Sequence, residues 1–154
     1  MRKNEIVKIV IAILSILVVA VLGSVFVNLG MEWFNILDKP SQWIPNIVIP
    51  IVWTVIYITF AIVLSVWISR SEIPVSVIIL LIINGVLNVV WCLVFFTLQL
   101  TFVGNIVIIL NLIMAFLLAF GINKYNKAYF FATAIYPIWI SIATSLNTAL
   151  WILN

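Results

Sequence analysis

Histidine is absent from this 154-residue chain, and cysteine occurs once, at position 92. A single thiol forms no disulfide framework and no redox pair, and a chain without imidazole has no ordinary transition-metal or haem-ligating set. Charge is scarce as well. Asp, Glu, Lys and Arg make up 7% of the residues, and none lies between Lys8 and Glu32, Lys39 and Arg70, or Glu72 and Lys124. Ionisable groups inside apolar segments are the usual carriers of proton or ion coupling, so their scarcity disfavours an ion-coupled pump. No grouping of acid, base, nucleophile or metal ligand marks a reaction centre, and neither catalytic nor metal-binding residues are expected.

What fills the chain instead is hydrophobic: 67% of the residues, far outside the range of water-soluble domains. Charge-free runs cover 9–31, 40–69, 73–123 and 128–154. A bilayer core about 30 Å thick needs roughly 20 helical residues, so the 51-residue run folds back once and the others cross singly. The expected fold is an all-α integral membrane protein, one domain over 1–154. Its five-transmembrane-helix bundle is placed at about 6–28, 46–69, 75–97, 103–122 and 129–152. Continuous apolar runs, lacking the alternation of about ten residues per strand, speak against a barrel. The first run is longer than the h-region of a signal peptide and is read as a retained helix.

Loop cations set the orientation. Arg2, Lys3, Lys8, Arg70, Lys124 and Lys127 fall on one side of a five-span chain, and Lys39 alone on the other. The N-terminus is therefore expected in the cytoplasm and the C-terminus outside, in a bacterial cell membrane. The net charge of +3 reports this topology and gives no sign of a nucleic-acid surface.

Inside the spans the informative residues are Asn and Trp. Asn84, Asn88 and Trp91 stand at i, i+4 and i+7, one face of the third helix. Trp53, Tyr57, Phe60 and Trp67 share a face of the second, and Trp139, Ala143 and Asn147 a face of the fifth. Asn105 and Asn111 lie on different faces of the fourth and read as separate helix contacts. Such stripes serve either interhelical packing or a site. Counting along each helix places Ser24, Trp53, Asn88, Trp91, Ala143 and Asn147 in the external half, with Trp139 near the middle. A mostly apolar pocket with a few polar anchors is thus expected between helices 1, 2, 3 and 5. It would take a flat aromatic ligand, with any acidic groups reaching Lys39. The aromatic connection over about 29–45 either floats at the headgroup level or covers this pocket as a lid. Pro40, Pro45 and Pro50 stiffen the approach to the second helix, and Pro137 should kink the fifth.

Three blocks carry a family resemblance. Trp33-Phe34-Asn35-Ile36-Leu37-Asp38-Lys39-Pro40-Ser41 with Trp43-Ile44-Pro45 and Pro50-Ile51-Val52-Trp53-Thr54-Val55-Ile56-Tyr57 is the first. Leu87-Asn88-Val89-Val90-Trp91-Cys92-Leu93-Val94-Phe95-Phe96 is the second, and Trp139 to Asn147 the third. They resemble the TspO/MBR family, the tryptophan-rich sensory or translocator proteins, over essentially the whole chain. The resemblance implies a homodimer that binds porphyrins, protoporphyrin IX or a haem-like ring, under the first loop. It points to Trp53, Asn88, Trp91, Trp139, Ala143 and Asn147, with Ser24, Pro45 and Asn84 beside them. Its partners would be membrane lipids and such a ligand, with no obligatory cofactor. Gln42 interrupts the Pro-Ser-Trp triplet, Cys92 and Leu93 replace prolines, and Val107 stands where an acidic residue is usual. The segment from Asn147 to Trp151 lacks the Tyr and Arg of a sterol-recognition motif.

The functional expectation is a membrane receptor or carrier of porphyrin-like tetrapyrroles or other flat hydrophobic molecules. Two alternatives stand beside it: light- and oxygen-dependent porphyrin breakdown, and a membrane structural or interaction protein whose tryptophans only pack helices.

Overall fold

A computed structural model describes residues 3–41 and 43–154. Arg2, counted among the loop cations, and Gln42, the interruption of the Pro-Ser-Trp triplet, lie outside the described residues. Among the described residues, five helical segments are long and apolar enough to cross a membrane. The first is α1 (Lys3–Leu29), followed by a short helix α2 (Met31–Ile36) within the connection. The second span is α3 (Val48–Arg70); the third is α4 (Val75–Cys92), continued by a π-helical turn over Leu93–Thr97. The fourth is α5 (Thr101–Tyr125), and the fifth consists of α6 (Lys127–Thr133) and α7 (Ile135–Leu153). No strand occurs among the described residues, as expected where lipid offers the backbone no partner.

Prolines and glycines explain the departures from five plain helices. Pro137 lacks the N–H that would meet the Thr133 carbonyl, and its ring crowds that same carbonyl. The fifth span accordingly breaks at Ala134. Its start is fixed by the Asn126 side chain, which accepts from the Tyr129 N–H at 3.1 Å. The third span ends in a wide turn: Leu98 N–H donates to the Leu93 carbonyl at 2.9 Å and Leu100 N–H to Val94 at 3.1 Å. Gln99 closes it with φ of 58°, in the left-handed region. The Thr97 hydroxyl ties this turn to the Phe26 carbonyl of α1 at 2.9 Å. Gly30 lies directly against the Phe96 carbonyl, a place with no room for a Cβ.

The spans form a closed ring in which α1 packs on α3 and α4, α4 on α5, α5 on α6 and α7, and these last on α3. Gly23 is the one buried residue of α1, so this helix is the most lipid-exposed wall. The main core holds Ile56, Phe60, Val77, Leu118, Tyr136 and Trp139. A second cluster, Phe34, Phe95, Phe96 and Leu150, seals the bundle beneath α2.

The connection over 29–45 is firmly held. Lys39 Nζ donates to the Phe34 carbonyl at 3.0 Å and lies 4.8 Å above the Phe34 ring, capping the carbonyl end of α2. Asn154 reaches Asp38 twice, accepting from its N–H and donating to its carbonyl, both at 3.0 Å. An exposed hydrogen bond is worth about 0.5–1.5 kcal/mol net. Asn154→Ala is thus expected to speed hydrogen–deuterium exchange at the Asp38 amide about three- to tenfold. Exchange mass spectrometry of loop peptides measures this, with the amides of α5 unchanged.

Candidate ligand-binding cavity

The polar groups of the spans meet in two places. Nearer the α2 end, Trp91 Nε1 donates to Asn147 Oδ1 at 3.1 Å, and Asn147 Nδ2 donates to Asn105 Oδ1 at 3.3 Å. The Thr148 hydroxyl donates to the same Asn105 oxygen at 2.8 Å. This network joins α4, α5 and α7, and each member is satisfied from within the protein. The Trp91 ring stacks on Phe95 at 5.9 Å and 17°.

Deeper in the bundle, Tyr136 of α7 stands between Asn84 and Asn111, its hydroxyl 3.2 Å from the Oδ1 of each. One hydroxyl proton cannot serve both acceptors. With Asn111 presenting its Nδ2 to Tyr136 and Tyr136 donating to Asn84, the hydroxyl has one donor and one acceptor as partners. Asn84 Nδ2 is already committed to the Leu80 and Met114 carbonyls, at 2.7 and 3.1 Å. Asn88 also faces the Tyr136 hydroxyl.

This second cluster forms the inner end of a cavity of about 1220 Å³ between α1, α3 and α4. Its aromatic wall is Trp53, stacked on Tyr57 at 5.7 Å and tilted on Tyr136 at 6.4 Å, with the Phe60 edge 5.7 Å from Tyr136. From there the cavity runs past Leu64 and Ser15 to Lys8, Arg70 and Glu72 at the opposite end of the bundle.

Of the residues singled out in the sequence, Trp53, Asn84 and Asn88 line this cavity. Trp91 and Asn147 belong to the closed network above it. Trp139 is buried in the main core, its Nε1–H without an acceptor among the described residues. Ala143 is half-buried on α7, while Ser24 and Pro45 are exposed; none of these lines the cavity. The volume expected beneath the 29–45 connection is filled by Phe34, Phe95 and Phe96, with Trp33 edge-on to Phe95 at 5.5 Å. Lys39, expected to meet acidic groups of a ligand, is occupied by α2 carbonyls at the far end from the charged mouth. Tyr136 was the missing member. A tyrosine one turn before Trp139 on the same helix needs a buried partner for its hydroxyl, and that requirement was the available signal.

The family model of the TspO/MBR family matches residues 11–152. The chain belongs to that family. It is 31% identical over 143 residues to the tryptophan-rich protein TspO of Chlorobaculum tepidum, covering 90% of each chain. It is 27% identical over 128 residues to protein CrtK of Rhodobacter capsulatus, covering 79% of this chain and 78% of that one. In this TspO/MBR chain, two of the blocks quoted from the sequence pack at the α2 end, through the Phe34–Phe96 contact at 5.2 Å. The third joins them there through the bond from Trp91 to Asn147.

Proposed function

We propose that this TspO/MBR protein is a membrane receptor or carrier for a flat, largely apolar tetrapyrrole such as protoporphyrin IX or a haem-like ring. The single observation that carries this reading is the cavity of about 1220 Å³ with Trp53, Tyr57, Asn88 and Tyr136 at its inner end. Its volume exceeds the roughly 300–1,000 Å³ of sites for drug-sized ligands, which suits a macrocycle. Indole and phenol faces stack on a planar ring, and the Asn88 amide offers a donor and an acceptor to its edge. Lys8, Arg70, Lys124 and Lys127 gather at one end of the bundle, against Lys39 at the other. That asymmetry supports a cytoplasmic N-terminus and an external C-terminus.

Titrating protoporphyrin IX into the protein in lipid nanodiscs tests the reading. A saturable one-to-one shift of the Soret band with quenching of tryptophan emission is expected. Purely linear partition, equal to that of empty nanodiscs, overturns it. Asn88→Leu removes an amide hydrogen bond worth about 1–1.5 kcal/mol, so affinity should fall roughly tenfold.

The clustering of Trp53, Tyr57 and Tyr136 at the inner end of the cavity, where a ring would lie against them, favours one second reading, light- and oxygen-dependent breakdown of the porphyrin. Illumination of the complex should then yield a discrete product that Trp53→Phe suppresses. Bleaching that is indifferent to this substitution leaves simple binding.

A further inference from the structure

The outer half of the cavity differs from its inner end in shape and in what it faces. Helices α1 and α4 run side by side and touch at two levels. A Cβ on Gly85 would stand 3.2 Å from Val19, and one on Gly23 would stand 3.5 Å from the Cys92 sulfur. Toward the Lys8 end, Ile11 of α1 and Ile82 of α4 line the cavity while 58% and 60% exposed. Residues at once cavity-lining and exposed mark a seam open along its side to lipid. From Val19 to Lys8 the seam runs about 16 Å at 1.5 Å per residue, close to the roughly 15 Å hydrocarbon depth of one leaflet.

The mouth of the seam lies at the helix ends, the level of lipid headgroups, and carries both signs of charge. Lys8 Nζ meets Glu72 Oε1 at 3.2 Å, with side chains 56% and 89% exposed. So exposed a pair is weak and opens readily. Arg70 stands beside it at the rim, and a guanidinium suits the oxygens of a phosphate. A head bearing both a phosphate and a primary ammonium can insert into this pair: the phosphate takes Lys8 and Arg70 and the ammonium takes Glu72, with Glu5 a second carboxylate at the same rim.

We infer that the seam between α1 and α4 is a binding site for a membrane aminophospholipid, one acyl chain in the outer cavity and the zwitterionic head on Lys8, Arg70 and Glu72. The site is continuous with the inner end proposed for a tetrapyrrole, in the same cavity, but neither reading depends on the other.

Phosphatidylethanolamine and phosphatidylglycerol, each with a diazirine at the end of one acyl chain, test this in nanodiscs of otherwise identical composition. Photolysis and peptide mass spectrometry are expected to place label from the ethanolamine lipid on Ser15, Leu64 and Leu81, at least fivefold above label on Ile109 and Ile113 of the outer α5 face. Glycerol lipid should label these cavity residues at least threefold less. Lys8→Gln with Arg70→Gln should cut the cavity label by about tenfold, and Glu72→Gln should abolish the preference between heads. Ala12→Phe, at a residue that lines the outer cavity, narrows it and leaves the mouth intact, and should remove the label. Label spread evenly over the lipid-facing helices, or cavity label indifferent to both the head and the mouth substitutions, overturns the proposal.

Discussion

Gly30→Val is expected to lower the thermal midpoint of the purified protein by about 6–12 °C, the equivalent of roughly 3 kcal/mol for a chain of this size. Gly30 has φ of −106°, a conformation open to any residue, so the constraint is one of space. A Cβ there would be driven into the Phe96 carbonyl and would stand 2.9 Å from the Phe96 Cα. Backbone cannot swing aside as a flexible side chain can. Phe96 is also held in the π-helical turn by the Leu98-to-Leu93 bond and by the tie from Thr97 to Phe26. The contrast is Gly23→Ala, whose Cβ meets the Cys92 sulfur at an ordinary 3.5 Å. Within α1 that change should be neutral or stabilise by up to about 1 kcal/mol. Parallel melts in one detergent compare the two. An equal response from both would show that the approach of α1 to the π turn is not the constraint described.

Trp53→Ala is expected to weaken protoporphyrin IX binding by about 10- to 100-fold. A large side chain buried against a ligand contributes roughly 1.5–3 kcal/mol, and each 1.4 kcal/mol is tenfold in affinity. Trp139→Phe provides the comparison. Its ring packs in the main core away from the cavity, and its Nε1–H has no acceptor among the described residues. Affinity should stay within about twofold of the parent. Soret titrations of the three proteins decide between the cavity wall and the core. A larger loss from Trp139→Phe than from Trp53→Ala would move the ligand out of the cavity between α1, α3 and α4.

The two tryptophans illustrate what a sequence makes legible. Five spans follow from the lengths of charge-free runs, because a fixed bilayer thickness converts length into crossings. The break at Ala134 follows from Pro137 in the same direct way. The α2 helix in the connection was less visible: Met31–Ile36 is too short for a periodic pattern, and Lys39 as its cap becomes meaningful only once its carbonyls converge. Depth along a helix was countable, so Trp53 was placed in the external half and Trp139 near the middle. Which of them faces open space was not, because that depends on helix tilt. The cavity lies where α1, α3 and α4 face one another, and no residue pattern announces it. The stripe from Trp53 to Trp67 shows the same limit. Trp53, Tyr57 and Phe60 line the cavity, whereas Trp67 packs on Tyr129 at 5.0 Å, in the core near α6.

The sparse attachment of α1 bears on how the molecule is assembled. Its most apolar window has a mean hydropathy of 3.0, and only 6% of that window is buried by the rest of the protein. Such a helix is stable in the bilayer by partition alone, before any neighbour exists. It can therefore hold its transmembrane position on its own, while α3 to α7 supply the contacts that bury one another. Until α1 docks on α3 and α4 the cavity lacks a wall, so the site depends on the most weakly buried span.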